Sequence, residues 1–265
     1  MSESPDPVEQ VAFLARSETR VRVLERLHDC GPASQRDLRD RVDASRSTLS
    51  RALAALEERG WVEQSGGAYE LTPKGGVVAE EFLGLLESIR AVDRLSTFLE
   101  WFPYAEFDVD VARFREADVT TASPSDPYAP AREQTQLIDQ VERFRGFLPS
   151  LDIEGTRVVH DRITEGSFEA EIVLSADAEA TVESGEFADL FREQVATGRL
   201  TVHVVDGELP FYLGLADGLA QVGVEDDEGF PRALLETTDP AVVDWATDVY
   251  DSYRDRARVK RLEDF

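Results

Sequence analysis

The sequence predicts an α+β domain, a long helix and an α/β domain, in that order along 265 residues. Three patterns carry this. In the first 60 residues apolar positions recur at steps of three and four, the mark of amphipathic helices, and two short strand-like runs follow around Gly66-Gly67. A heptad spacing then runs from Val78 to Leu99 with no breaker before Pro103. Beyond it, strand-length apolar runs alternate with helical patterns.

Val8 to Arg16 reads as a short amphipathic helix. Ser17 is placed to cap a second helix, with Val21, Leu24 and Leu27 inward and Gly31-Pro32 as its stop. Ser34 and Asp37 fit a capping box for a third, whose inner residues are Leu38 and Val42. After the turn Asp43-Ala44, Ser45 caps a helix that runs to Gly60 with Leu49, Leu53 and Leu56 on one face. Trp61 to Gln64 and Ala68 to Leu71 are the strands of a hairpin, the glycine pair supplying positive φ angles. Helices followed by a hairpin make a winged helix-turn-helix.

The outward face of the last of these helices carries Arg46, Ser47, Ser50 and Arg51, beside Ser45 and Thr48. Hydroxyls and guanidinium groups donate to phosphates and base edges. This helix is therefore the expected DNA reader, with Arg36 of the preceding helix reaching the backbone. The hairpin tip, Ser65 to Ala68, has no Arg or Lys, so the burden falls on the helix. The other reading of the same domain is a protein-protein interaction module with no specific DNA target.

Ser45 to Arg51 through Leu56 to Val62 resembles the reader segment of prokaryotic winged-helix regulators of the ArsR and MarR kind. Leu71-Thr72-Pro73-Lys74-Gly75 resembles the exit of their wing. Such readers usually take two half-sites as dimers. The long helix offers the means: Val78, Phe82, Leu85, Ile89, Val92, Ser96 and Leu99 form a heptad seam, interrupted by Ser96. Leu86, Leu95, Phe98, Trp101 and Phe102 form an adjoining row, so one row is free for a second copy and the other for the following domain. The alternative is a helix buried wholly in its own chain.

After it, a short strand at 119–122 leads to the turn-rich loop Ser123 to Pro130, which opens a helix carrying Leu137, Val141 and Phe144. Val158, Val159 and Ile163 mark another helix, and Phe168 to Leu174 a strand. Helical pieces at 176–183 and 186–197 precede strands at 200–205, 211–215, 219–224 and 232–236. Asp239-Pro240 starts a final helix, and the tail from Arg254 is charged and expected to fray. The expected domains are 1–75, a linker and dimerisation helix at 76–103, an α/β domain at 104–258, and a tail at 259–265.

Five pieces of this part resemble the C-terminal domain of archaeal regulators of the methanogenesis and filament-growth type. They are Asp126 to Pro130, Arg143 to Gly146, Glu171 to Ser175, Asp206 to Phe211, and Asp239-Pro240 through Trp245-Ala246 to Arg254. That resemblance implies a domain sensing an effector or a partner, with a phospholipase-D-like fold among the arrangements it suggests. The catalytic motif of that fold, a His with a Lys two residues on, is absent at His28, His160 and His203. No phosphate loop, zinc spacing or Gly-x-Ser-x-Gly elbow occurs either, and Gly75-Gly76 reads as a turn. The expectation is binding without catalysis, metal or cofactor.

Within the α/β part, Tyr128, Arg132 and Arg145 are the candidates for holding a small anionic effector. The arginines are placed on the helix after the Pro-rich loop or at its end, and pairing with nearby carboxylates is the competing reading. His160 is expected on a helix surface, and Cys30, the single cysteine, as a half-buried thiol.

Composition completes the picture. There are 54 acidic and 28 basic residues, and all but two of the basic ones, Lys74 and Lys260, are arginine. Such a surface resembles that of proteins from salt-loving archaea. The acid is uneven: residues 1–75 hold 11 basic and 13 acidic side chains, and residues 76–265 hold 17 and 41. A DNA-facing part has to be spared acid, because phosphates repel it. No apolar run reaches the ~20 residues of a membrane span, and the acidic opening has no signal pattern. The expected partners are double-stranded DNA, a second copy of the chain and a small effector, in the cytoplasm.

Overall fold

The structure, a computed structural model, describes residues 6–265; Met1 to Pro5, most of the opening read as lacking a signal pattern, lie outside them. The chain forms two compact units, Met1–Arg90 and Ala91–Phe265.

The first unit holds α1 (Pro7–Ala15), α2 (Glu18–Cys30), β1 (Ala33–Ser34), α3 (Gln35–Val42), α4 (Arg46–Glu58), β2 (Val62–Ser65), β3 (Ala68–Leu71) and the start of α5 (Pro73–Trp101). Local chemistry sets these boundaries. Ser34 and Asp37 close the expected capping box on α3, and the Ser45 side chain accepts from the Thr48 N–H to start α4. Ser17 does less than expected. Its carbonyl accepts from Val21, but its hydroxyl makes no capping bond. Gly66 and Gly67, at φ 59° and 87°, form the two-residue turn between β2 and β3.

β1 was not foreseen. It adds to β3 through Ala33 opposite Tyr69, giving the order β1-β3-β2, and two residues are too few to carry an alternation signal. The core gathers Leu24, Leu38, Leu53, Leu56, Trp61 and Phe82. Gly75-Gly76 is not a turn but lies in the first two turns of α5. A Cβ on Gly75 would come within 1.7 Å of the Trp61 carbonyl oxygen, so the glycine lets the helix start against that backbone.

α5 is continuous over 29 residues. Its first part buries Ala79 and Phe82 in the core of the first unit, and its last part buries Ala91, Leu95 and Phe98 in that of the second. The heptad seam is therefore not free along its length. Phe82 is buried, Val78 packs on the first core and Leu99 on the second. Leu85, Ile89 and Val92 stay about half exposed, at 48%, 51% and 54%.

In the second unit a 3-10 turn (Val111–Glu116) precedes β4 (Asp118–Thr121), α6 (Ala129–Gln140), β5 (Arg143–Leu148), α7 (Ile153–Glu165) and β6 (Glu169–Leu174). Then come α8 (Ala176–Val182), α9 (Gly185–Ala196), β7 (Leu200–Val204), β8 (Tyr212–Ala216), β9 (Leu219–Glu225), β10 (Pro231–Thr237), α10 (Pro240–Arg254) and β11 (Arg258–Lys260). One mixed sheet runs β11-β7-β6-β5-β8-β9-β10-β4, parallel only among β5, β6 and β7. Successive strand residues face opposite sides. Phe147, Val173 and Leu213 join α10 and the end of α5, while Phe144, Ile172 and Leu174 join α6, α7 and α9.

Two expectations fail here. Val141 and Phe144 are not on α6. The helix stops at Gln140, Val141 is extended, and Phe144 lies in β5, which the reading missed. Leu137, Val141 and Phe144 fall at helical steps by coincidence, and Arg143 and Arg145 interrupt the apolar run that would have announced a buried strand. The tail does not fray either. β11 pairs with β7, with Val259 opposite His203. Lys260 is buried, its Nζ 2.9 Å from Glu179 and 2.6 Å from Glu183, and the Phe265 ring stacks on Phe191. These contacts explain a lysine in a chain that otherwise prefers arginine: the ammonium is a compact point charge shared between two carboxylates.

Candidate functional site

α4 is held by its buried side. Leu49, Leu53 and Leu56 are at most 1% exposed, and Arg22 braces the preceding turn by donating to the Val42 carbonyl at 3.2 Å. Asp43 turns the chain at φ 49°, a left-handed conformation that Asp tolerates better than most residues. That leaves Arg46, Ser47, Thr48, Ser50 and Arg51 exposed on one helix, with Ser45 at its cap and Arg36 exposed on α3.

These residues fall into two kinds. The hydroxyls bind one another: Ser45 Oγ lies 3.0 Å from Ser47 Oγ and 2.8 Å from Thr48 Oγ1. Ser50 Oγ accepts from Gln35 Nε2 at 2.8 Å, which ties α4 to the start of α3. Gln35 was missed by the sequence reading. Its signal was positional, as the first helical residue after a recognised cap. Arg36, Arg46 and Arg51, in contrast, make no hydrogen bond or ion pair among the described residues. Arg20 and Arg59 are engaged within the unit, both stacked over Phe13 at 3.8 and 3.4 Å. Burial and the neighbouring Arg59 charge lower the Arg20 pKa.

The three candidates of the second unit do not converge. Tyr128 is exposed at the start of α6. Arg132 forms a two-bond pair with Asp126, whose carboxyl this hydrogen bonding holds below the usual range. Arg145 is not on the helix or at its end. It lies on β5, its guanidinium 5.5 Å from the Tyr250 ring. His160 bridges α7 and α9, 2.8 Å from Glu193, with Asp161 at 3.1 Å. Burial alone would lower its pKa, but those two hydrogen bonds and negative charges outweigh it and leave the pKa raised. Cys30 is exposed, not half-buried, because it ends α2 beyond the last inward residue, Leu27.

The second unit does contain a cavity, of about 110 Å³, between the sheet and α6, α7 and α9. None of the three sequence candidates lines it. Its walls are Ile138, Phe144, Phe168, Ile172, Phe191 and Leu200, with Thr156, Gln194 and Tyr212 as its buried polar groups. Among the described residues no group of three or more His, Cys, Asp or Glu could hold a metal ion, and no helix is long and apolar enough to cross a membrane.

Comparison with known proteins bears on both units. No curated protein matches the chain. Among solved structures, TrmBL2, an archaeal chromatin protein described as showing a novel mode of DNA binding, is 12% identical. It covers 94% of this chain and 98% of its own, at a TM-score of 0.42. Nuc of Salmonella typhimurium, a phospholipase D family member, is also 12% identical, over 55% of this chain and 99% of its own, at 0.43. NucT from Helicobacter pylori covers the same shares at 12% identity and 0.40. Likenesses that distant carry no weight for function. The family models are more informative. Residues 8–94 match that of the HVO_A0261 N-terminal domain, and residues 127–256 match that of the middle domain of the methanogenesis regulatory protein FilR1. The chain thus joins an N-terminal segment like that of HVO_A0261 to a second segment like the middle domain of FilR1.

Proposed function

We propose that the chain is a sequence-specific, DNA-binding transcription regulator whose first unit is a winged helix-turn-helix and whose second unit senses a signal. The observation that carries this reading is the outer face of α4. Two guanidinium groups, Arg46 and Arg51, stand unpaired on a helix whose other face is buried, in a part of the chain close to neutral. Exposed and unpaired, they are free to meet phosphates or guanine edges, which are their natural complements. Gln35 and Ser50 add an amide and a hydroxyl beside them, suited to adenine or to the backbone. The regulator named by the second family match points the same way.

The exposed Leu85, Ile89 and Val92 support a homodimer, in which two copies of α4 read two half-sites. The second unit, phospholipase-D-like in this reading but without the His-Lys pair, binds and does not catalyse. The acid-rich surface suits a haloarchaeal cytoplasm. There, high salt weakens nonspecific phosphate contacts and leaves base contacts to decide the site.

Retardation of promoter DNA at high salt, followed by footprinting, tests the proposal. A protected, sequence-defined site is expected. Binding to other transcription proteins with no retarded DNA would favour the interaction-module reading instead.

A further inference from the structure

We infer that the cavity beneath α6, α7 and α9 is a binding site for a small, uncharged, mainly apolar molecule carrying one hydrogen-bond acceptor such as a carbonyl oxygen. Its purpose, though not its existence, rests on reading the second unit as a sensor.

The cavity is lined mostly by aromatic and aliphatic side chains and opens partly to solvent at Ser150 and Asp152; its volume is somewhat below the ~150 Å³ that holds a benzene in an engineered apolar cavity. A ligand of about six non-hydrogen atoms suits that space. One polar group is unsatisfied. Gln194 of α9 lines the cavity, is 1% exposed, and its Nε2 has no hydrogen-bond partner. A buried amide donor without a partner costs about 1–3 kcal/mol; rotation of the Gln194 amide toward the cavity would let an acceptor on a ligand relieve it. The second buried polar group is already committed, since the Tyr212 hydroxyl donates to Gln221 Oε1 at 3.2 Å and Gln221 donates on to Glu236. Thr156 is likewise satisfied, donating to the Asp152 carbonyl at 2.7 Å.

Charge narrows the class further. No Arg, Lys or His lines the cavity, while Asp152 and Glu225 do. Glu225 accepts from Ser150 at 2.6 Å, and its burial pushes the carboxyl pKa up. An anion would face these carboxylates with no cation to answer it. The anionic effector expected at Tyr128, Arg132 and Arg145 therefore has no place here.

Cyclopentanone, methylenecyclopentane and cyclobutanecarboxylate probe the class, being a ring with an acceptor, the same shape without one, and an anion of similar size. Binding to the full chain is followed by amide chemical shifts. The expected order is cyclopentanone, then methylenecyclopentane, with no binding of the carboxylate. Gln194→Leu should weaken cyclopentanone about tenfold, as loss of one hydrogen bond does, and leave methylenecyclopentane within twofold. Ala170→Leu, on the cavity wall, should abolish both; the near-isosteric Gln194→Leu decides the matter alone if that variant does not fold. Carboxylate binding equal to cyclopentanone, equal weakening of both neutral probes by Gln194→Leu, or no neutral probe binding, as for a cavity that only holds water, would each overturn the inference. A probe that binds without changing DNA affinity would refute sensing and leave the site. Specific DNA binding with no probe bound would do the reverse.

Discussion

In residues 1–90, Arg36, Arg41, Arg46 and Arg51 stand on α3 and α4 with no carboxylate bound to them. In residues 91–265, Arg113, Arg132, Arg157, Arg192, Arg232, Arg254 and Arg258 each hold at least one. The same residue type therefore does different work in the two units. In the second it neutralises part of a heavy acidic load, mostly through exposed pairs that water and salt screen. In the first it is held available. The contrast lies between these two sets and not between all arginines, since Arg39 of α3 pairs with Asp40 while Arg115 and Arg145 of the second unit bind no carboxylate among the described residues.

The sharpest way to break this contrast is salt. Going from 1 M to 0.1 M lengthens screening from about 3 Å to about 10 Å, and the excess of 24 acidic charges in residues 76–265 then repels itself far more strongly. Unfolding should shift to much lower temperature in dilute buffer, with the signals of the second unit lost first. Melting curves that do not move between these salts would remove the contrast.

Next in size is Lys260→Ala. It takes the shared cation from Glu179 and Glu183; Arg258 still pairs with Glu179, and Glu183 is half exposed, so the loss is about 1–3 kcal/mol. Urea unfolding measures it, and a cost near zero would mean the tail is dispensable. A third measurement sets the two kinds of arginine side by side. Arg51→Ala should weaken binding to a specific site by about 1–3 kcal/mol, whereas Arg132→Ala, which only frees Asp126, should leave it unchanged.

The smallest effect is a pH dependence. The folded pKa of His160 is raised above its ordinary value near 6.5, so its stabilising pairing is fully present below pH 6.5 and lost as pH rises through the raised value. Its partners are exposed, which limits the effect to about 1 kcal/mol. Stability of the wild type should fall by that amount toward neutral and alkaline pH, and His160→Gln should flatten the profile.

What the sequence showed and what it hid follow from how local each signal is. The caps at Ser34 and Ser45, the glycine turn at 66–67 and the Leu49-Leu53-Leu56 stripe are written in adjacent residues, so α3, α4 and the hairpin were legible, as was the exposure of Arg46 and Arg51. β5 was not, because Phe144 continues a helical spacing from Leu137, and only its neighbours β6 and β8 make it a strand. Nor was β11, whose charges read as a loose end until Glu179 and Glu183, some 80 residues away in sequence, come beside Lys260. The cavity was invisible for the same reason. Gln194 looks like any surface glutamine on a helix until α7 and the sheet close over it. The polar candidates the sequence did offer, Arg132 and Arg145, were prominent because of their charge, and charge in this unit is mostly spoken for.

The short strand β11 has a consequence for how the protein is handled. It occupies one border of the eight-stranded sheet, so the hydrogen-bonding groups of β7 on that side meet another strand of the same molecule. Bare strand borders recruit foreign strands. Removing residues 258–265, or attaching a tag that pulls them away, would strip β7 of its cover and invite sheet-to-sheet aggregation. Preparations should therefore carry their tags at the other terminus.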